Sequence, residues 1–317
     1  MRVPPRFPLA VLPTPLVRAH RLEAALGCGP VLLKRDDLAG FAAAGNKTRA
    51  LEYLLGTALA EGAGVLVTGG GPGSNFCPAA ALAARAAGLD CELVVWGDVA
   101  GAPNLVLATA AGARLLPTGE ADRDAVDEAV EARAADLAAQ GRRPFAVPRG
   151  GSTGLGAVGF AVAAVELADQ LGAVPPAVIV LAVGSGGSVA GLVTGLAAAG
   201  LGWPVLAVSV SRPPQQIAPL VVDLAAQCAA ELATTSPEYE PLEIVDARGE
   251  GFGVVSARER ECARLALHTE GLLLDHTYGA KAFAVTVERL HRDHGGPLVY
   301  WHTGGMIPAL ATLTEAR

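Results

Sequence analysis

Lysine is almost absent from this chain. Only Lys34, Lys47 and Lys281 occur among 24 basic residues; the other 21 are arginine. Arginine therefore serves general solubility here, and a lysine marks a place for chemistry that arginine cannot do. A basic excess is absent too. The formal net charge of −7 argues against nucleic acid or an anionic membrane as the main partner, since either calls for a basic face. Charged residues make up 17% and hydrophobic ones 51% of 317 residues, enough for a large core in two domains or one large one, and a small-molecule ligand is expected. The five cysteines (Cys28, Cys77, Cys91, Cys228, Cys262) lack CxxC spacing, which suits reduced thiols in a cytoplasmic protein better than disulfides or zinc; no metal is expected. Met1-Arg2-Val3-Pro4-Pro5 is too proline-rich to open a signal peptide, and no apolar stretch runs far enough without glycine or charge to span a bilayer. There is no internal repeat or low-complexity linker, so composition marks no domain boundary.

What is present centres on Asp36 to Arg49. Gly40 and Gly45 break structure there, and Asn46 can cap a helix running from Lys47 to about Glu61. Lys47 is either a solvated lysine in the first helical turn or an amine that loses its proton and forms a Schiff base with a carbonyl. Before it, Leu12-Pro13-Thr14-Pro15-Leu16 is expected to lie extended on the surface, and Val31 to Leu33 reads as a strand. Strands at Val65 to Val67, Cys91 to Trp96, Arg114 to Leu116 and Phe145 to Val147 then alternate with helices at Asn75 to Ala87, Asn104 to Ala111 and Asp122 to Gln140. A helix to about Leu171, a strand at Val178 to Val183 and a helix to about Ala199 follow. Pro213 to Val245 reads only as an irregular connection around one helix. Helices at Ser256 to Glu270 and Tyr278 to Arg292 and a strand at Leu298 to Trp301 complete an α/β chain, with parallel sheets covered by helices.

Glycine-rich loops join these strands to helices, where α/β proteins place ligands. Gly184-Ser185-Gly186-Gly187-Ser188 lets backbone N–H groups converge at a helix N-terminus, which favours a phosphate. It lacks the Gly-Lys-Ser/Thr of a P-loop, and Val189 stands where GxGxxG needs its last glycine. The loop before Ser74-Asn75 suits a substrate carboxylate, or Ser74 is only a helix cap. Asp275 to Tyr278 and His302 to Gly305 form two further polar clusters at expected strand ends. A Schiff-base lysine, a phosphate cradle of neither nucleotide type and a carboxylate loop together suggest pyridoxal phosphate and an amino acid.

At this point the sequence resembles the fold-type II pyridoxal-phosphate enzymes (tryptophan synthase β-like), within them the group of 1-aminocyclopropane-1-carboxylate (ACC) deaminase and D-cysteine desulfhydrase. The matching stretches run collinearly from Leu12-Pro13-Thr14-Pro15-Leu16 through Leu33 to Asp37, Gly45 to Arg49, Ser74-Asn75, Gly150-Gly151-Ser152, Gly184 to Ser188, Gly249 to Gly253, Glu270-Gly271 and Tyr278 to His302-Thr303-Gly304-Gly305. The resemblance implies two domains, a larger cofactor-binding one of residues 1–48 and 156–317 and a smaller substrate-side one of 49–155, in a homodimer. It implies that Lys47 carries the cofactor and then acts as base at Cα, and that Asn75 meets the phenolic oxygen. Gly184, Ser185, Gly186, Gly187 and Ser188 would hold the phosphate, and Thr303 would face the pyridine nitrogen. Ser74 would take the substrate carboxylate, with Tyr278 over the site for orientation or proton transfer.

The resemblance has departures. Gly73 stands where the family usually has glutamine, Phe76 replaces a polar residue, and Pro78-Ala79 stand in place of Arg-Gln. His276 replaces a common proline and is expected to be a new polar contact. Gly279 replaces the deaminase-type acid after the tyrosine, which counts against cyclopropane ring opening. The expected activity is β-elimination from a small, cysteine-like amino acid, giving a keto acid, ammonia and the leaving group. The alternatives are β-replacement or an ACC-deaminase-like step on a noncanonical amino acid. Gly150-Gly151-Ser152-Thr153-Gly154 also fits a GxSxG elbow, so a serine hydrolase using Ser152, Asp246 or Asp275, and His276 or His302, stands beside a non-catalytic binding protein as a remoter reading.

Overall fold

The computed structural model describes residues 2–119, 125–237, 242–291 and 296–315. The first half runs β1 (Leu16–Arg18), α1 (His20–Leu26), β2 (Val31–Arg35), α2 (Lys47–Ala60), β3 (Val65–Gly70), α3 (Phe76–Ala86), β4 (Asp90–Val95), α4 (Pro103–Ala110), β5 (Arg114–Pro117), α5 (Ala125–Ala139) and β6 (Pro144–Ala146). The second half runs α6 (Gly154–Leu171), β7 (Val178–Val183), α7 (Gly187–Ala198), β8 (Val205–Ser209), α8 (Pro214–Glu231), β9 (Leu242–Asp246), α9 (Ala257–Glu270), α10 (Gly279–Leu290), β10 (Leu298–His302) and α11 (Met306–Glu315). The expected start of α5 at Asp122 and end of α10 at Arg292 lie outside the described residues.

Two sheets result. One has the order β1-β2-β10-β7-β8-β9, the other β5-β4-β3-β6, and every pairing is parallel except that of β1 with β2. Central strands bury both faces, so their side chains alternate between two cores rather than between core and water. In β7, Ile179, Leu181 and Val183 join a cluster with α6, α7 and α8, whereas Val178 and Val180 join one with α9 and α10. In β3, Leu66 packs with α2, α3 and α4, and Val65 and Val67 pack with α5.

The proline-rich opening runs non-helical along the surface as expected, with Pro13 and Pro15 exposed, but it is pinned inward at one residue. Thr14 is wholly buried, because Glu166 and Asp36 bond its amide and hydroxyl from the interior. The region from Pro213 to Val245 is more regular than its sequence suggests. It holds the 18-residue α8, with Ile217, Val221, Leu224, Ala225 and Cys228 buried along one stripe, and most of edge strand β9. Arg149–Leu171 is long and apolar enough to cross a membrane by composition, but α6 is spent on protein contacts. Gly159, Gly191 and Gly195 let neighbouring backbones approach it. A Cβ at Gly159 would meet the Arg49 carbonyl of α2, and Cβ atoms at Gly191 and Gly195 of α7 would meet the Ala157 and Ala161 carbonyls of α6.

Candidate active site

Lys47 begins α2, with Ala44, Gly45 and Asn46 accepting or closing a tight first turn: the amides of Lys47, Thr48 and Arg49 donate to the carbonyls of Ala44, Gly45 and Asn46 at 3.2 Å each. Gly45 is left-handed at φ +56°, and a Cβ there would strike the Thr303 carbonyl, so only glycine lets the two loops meet. The Asn46 amide donates to that carbonyl at 2.9 Å. Asn46 does not cap the helix with its side chain as expected; its Nδ2 instead donates to Ser188 Oγ at 3.0 Å, across to the phosphate-type loop.

The three lysines now separate by environment. Lys34 donates to the Thr14 carbonyl (2.8 Å), Gln170 (2.7 Å) and Glu166, and Lys281 to the Arg248 carbonyl (3.0 Å) and Glu259 (3.5 Å). Lys47 has no hydrogen-bond acceptor among the described residues. It projects into a cavity of about 870 Å³, where desolvation lowers its pKa to about 8. Lys47 is half-buried in the cavity lining. The helix N-terminus disfavours the cation in the same direction.

Across the cavity, β7 ends in Gly184, and the chain turns through Gly186 (φ +100°) into α7, whose first-turn amides have no intrahelical acceptor. Ser185 Oγ lies 2.5 Å from Ser152 Oγ, and a Cβ on Gly187 would sit 3.3 Å from that hydroxyl. The Gly184 carbonyl accepts from Ser211 Oγ (3.1 Å) and Arg212 Nη1 (3.3 Å). Ser74 Oγ accepts the amides of Phe76 and Cys77 at 3.3 Å each, so it serves the first turn of α3 from just before the N-cap position, Asn75, while also lining the cavity. Asn75 Oδ1 accepts from Asn104 Nδ2 at 3.3 Å, leaving the Asn75 Nδ2 group for another partner. Lys47, Ser74, Asn75, Gly184 to Ser188, Tyr278 and Thr303 all line this one cavity.

Residues 8–304 match the family described as pyridoxal-phosphate dependent enzyme. The chain belongs to that family. It is 31% identical to a solved ACC deaminase homologue, covering 98% of this chain and 95% of that one at a TM-score of 0.92. An L-serine ammonia-lyase from Rhizomucor miehei (24% identity, 97% and 98% coverage, TM-score 0.68) and a T.th. threonine deaminase (22%, 92% and 92%, 0.67) share the fold. The protein is thus a fold-type II enzyme that uses pyridoxal phosphate.

The residues present fit that cofactor: an unpaired, partly neutral lysine amine for its aldehyde, glycine-loop amides and serine hydroxyls for its phosphate, and a pre-oriented asparagine amide. In this pyridoxal-phosphate enzyme Asp275, read from sequence as part of a polar cluster at a strand end and as a candidate hydrolase acid, has a defined place. It is buried in the cavity wall, with Oδ1 accepting the Thr277 (2.9 Å) and Tyr278 (2.8 Å) amides and Oδ2 the Gly279 amide (3.1 Å). Desolvation raises its pKa to about 6 against the pull of those amides. Tyr278 so held packs against Gly184, where a Cβ would lie 3.0 Å from its ring, and Phe252 meets it edge-on at 5.9 Å.

The hydrolase triad does not assemble. The Ser152 hydroxyl pairs with Ser185, and buried His302 accepts the Gly304 amide on Nδ1 (3.4 Å) with Nε2 3.8 Å from Asp37. Desolvation lowers the His302 pKa against the opposing pull of Asp37. His276 lies outside the cavity lining, whereas Phe76 and Gly73 are in it. Asn104, which bonds the lining residue Asn75, and the Arg149–Asp127 pair (3.0 Å) in the cavity lining were not singled out from sequence, and Phe252 was given no role there. Asn104 and Phe252 sit within helix-like or glycine-rich patterns that explain them without a site.

Proposed function

We propose that the enzyme is a lyase: it removes the Cα proton of a small amino acid, the leaving group departs from Cβ with a proton, and one water hydrolyses the resulting enamine, through its imine, to a keto acid and ammonia, with a cysteine-like sulfur compound as substrate. The isolation of Lys47 carries this reading. A pKa near 8 leaves roughly one amine in ten unprotonated at pH 7, against fewer than about one in a thousand for an ordinary lysine.

The Lys47 amine would hold the cofactor and, once an incoming amino group displaces it, would take the Cα proton. When bound, the cofactor supplies the sink for the electron pair left at Cα. Gly184 to Ser188 would hold its phosphate with first-turn amides and hydroxyls, and the Asn75 amide, fixed by Asn104, would meet its phenolic oxygen. Thr303 offers the ring nitrogen a neutral hydroxyl, which favours elimination over transamination. Ser74 and the neighbouring amides would bind the substrate carboxylate, and Tyr278, held by Asp275, would orient the substrate or pass a proton. Residues 1–48 and 156–317 would form the cofactor side and 49–155 the substrate side, a division supported by the six-stranded sheet drawing on 16–35 and 178–302 and the four-stranded one on 65–146.

A second reading is β-replacement or an ACC-deaminase-like step on a noncanonical amino acid. The apolar Phe76 in the lining and the likeness to the ACC deaminase homologue favour it. Against ring opening stands Gly279, which leaves no acid directly after Tyr278 in the chain.

The visible absorption spectrum tests the proposal. Purified protein and Lys47→Ala are compared before and after D- and L-cysteine, with pyruvate and sulfide assayed. A visible band that Lys47→Ala lacks, and that changes with one enantiomer as sulfide appears, is expected. Sulfide release undiminished in Lys47→Ala rules the proposal out.

A further inference from the structure

We propose that Arg49, gripped by Asp36 and Glu166, is a positioning residue that sets where the Lys47 amine stands; this rests on the role given to Lys47 above. The two residues are about 200° apart around the helix, so Lys47 faces the cavity while Arg49 enters a buried polar cluster on the other side. Arg49 Nε donates to Asp36 Oδ2 (2.8 Å) and Nη2 to Asp36 Oδ1 (2.8 Å), while Nη1 and Nη2 donate to Glu166 Oε2 (3.0 Å) and Oε1 (2.9 Å). Nη2 also reaches Thr14 Oγ1 at 2.9 Å. Lys34 joins through Glu166 and the Thr14 carbonyl, and Gln170 Nε2 donates to the same carbonyl at 2.8 Å.

Two cations and two carboxylates meet here with their charges balanced, all buried except Glu166, which keeps a small exposed edge. Such clusters gain little over well-packed apolar side chains, so added stability does not account for this one. Its geometry has a clear consequence. It ties the first turn of α2 to the N-terminal segment, to β2 and the turn after it, and to α6. The backbone agrees, since Gly159 lets α6 approach the Arg49 carbonyl itself. On the cavity side Asn46 is bonded to Thr303 and Ser188. Lys47 is therefore fixed between a polar clamp behind and the two cofactor loops in front. A shift of α2 by a fraction of an ångström would be felt at its amine.

Arg49→Lys keeps the charge but loses the fork. Glu166→Gln is the second variant, should the first fail to fold. Glu52→Gln is the control: Glu52 is also a buried carboxylate on α2, but it binds Arg6 (2.8 Å) and the Leu9 and Ala10 amides (2.7 and 2.8 Å) instead of the cluster. Each protein is titrated with pyridoxal phosphate, reduced with borohydride and digested, so that mass spectrometry reads how much cofactor is fixed on Lys47; melting is followed in parallel. The dissociation constant is expected to rise about tenfold or more in Arg49→Lys and Glu166→Gln, with Lys47 labelling falling in step. Glu52→Gln, even with an equal loss of melting temperature, should keep both. Wild-type labelling in the two cluster variants, or an equal loss in Glu52→Gln, would overturn the positioning role. Labelling of wild-type protein at Lys34 or Lys281 instead would overturn the reading of Lys47 itself.

Discussion

Asp275 shows how a single buried carboxylate can govern a site without touching the substrate. Its three amide bonds set the backbone that carries Tyr278, and the Oδ2 atom fills the space that a side chain at Gly305 would need. Asp275→Asn preserves the shape but replaces one acceptor oxygen with a donor, so at least one amide loses its partner. A 10- to 100-fold drop in kcat/KM is expected, about 1.4 to 2.7 kcal/mol of transition-state binding, with the fold retained by circular dichroism. The pH dependence has a definite sign. Because its pKa is raised from the usual 3.8 to about 6, the folded protein binds this proton more readily than the unfolded chain. The cost of its buried charge is present above pH 6 and fades as pH falls toward 4. An acid limb near pH 6 in the kcat/KM profile of the wild type, absent from Asp275→Asn, is the expected signature. Residues of this kind were poorly legible in the sequence. Lys47 stood out because lysine is rare, whereas an anchoring carboxylate has the same letters as any acid before a helix and depends on a turn that only the fold supplies. Asn46 was misread for a similar reason: the cap was plausible locally, but a tertiary partner, Ser188, claims the side chain.

At the scale of elements, α6 and α7 meet through glycine rather than through interlocking side chains. Intrinsic helix propensity favours Gly195→Ala by about 1 kcal/mol. The added Cβ, however, would fall on the Ala161 carbonyl of α6, a backbone atom that cannot rotate away. Overpacking of this kind costs roughly 1–3 kcal/mol, so a net loss is expected despite the better helix former. Urea unfolding of Gly195→Ala beside the open-space variant Gly202→Ala checks it, and a stabilised Gly195→Ala would show that the helices can slide apart. At the other kind of helix end, Ser256 caps α9 in a reciprocal box with Glu259, and Ser256→Ala should cost about 1 kcal/mol in the same assay. The start of this helix at Ser256 was visible from sequence, though its capping box was not, as were the buried strands with unbroken apolar runs such as β7. Strand β8 followed a Gly-Trp-Pro turn closely enough to be missed. Strand β9 was lost because an edge strand is only partly buried, and α8 because Pro219 interrupts its pattern although the tertiary contacts hold it helical.

At the scale of the whole molecule, the cavity draws its lining from both sheets. The loops after β2, β7 and β10 and the turn before α10 supply Lys47, the phosphate-type glycines, Thr303 and Tyr278, and the loop after β3 supplies Ser74 and Asn75. That convergence was anticipated by the glycine loops at strand ends, but their distances and the clamp behind Lys47 were not, because both depend on contacts between segments more than 100 residues apart. A ligand filling such a cavity joins the two halves and should stabilise them together. At a free concentration 100 times its dissociation constant, pyridoxal phosphate would add about 2.7 kcal/mol, a rise of several degrees in melting temperature for a chain of this size. Lys47→Ala should keep the phosphate contacts but forfeit the covalent one, so its rise should be clearly smaller at equal cofactor. Differential scanning calorimetry of both proteins with and without pyridoxal phosphate measures this. Inorganic phosphate, tested at the same concentration, should reproduce only a small part of the shift, since it engages the glycine loop without spanning the cavity to Lys47. Equal stabilisation of Lys47→Ala and wild type would mean that the cofactor is held by the loops alone and that the lysine contributes nothing to joining the two sides.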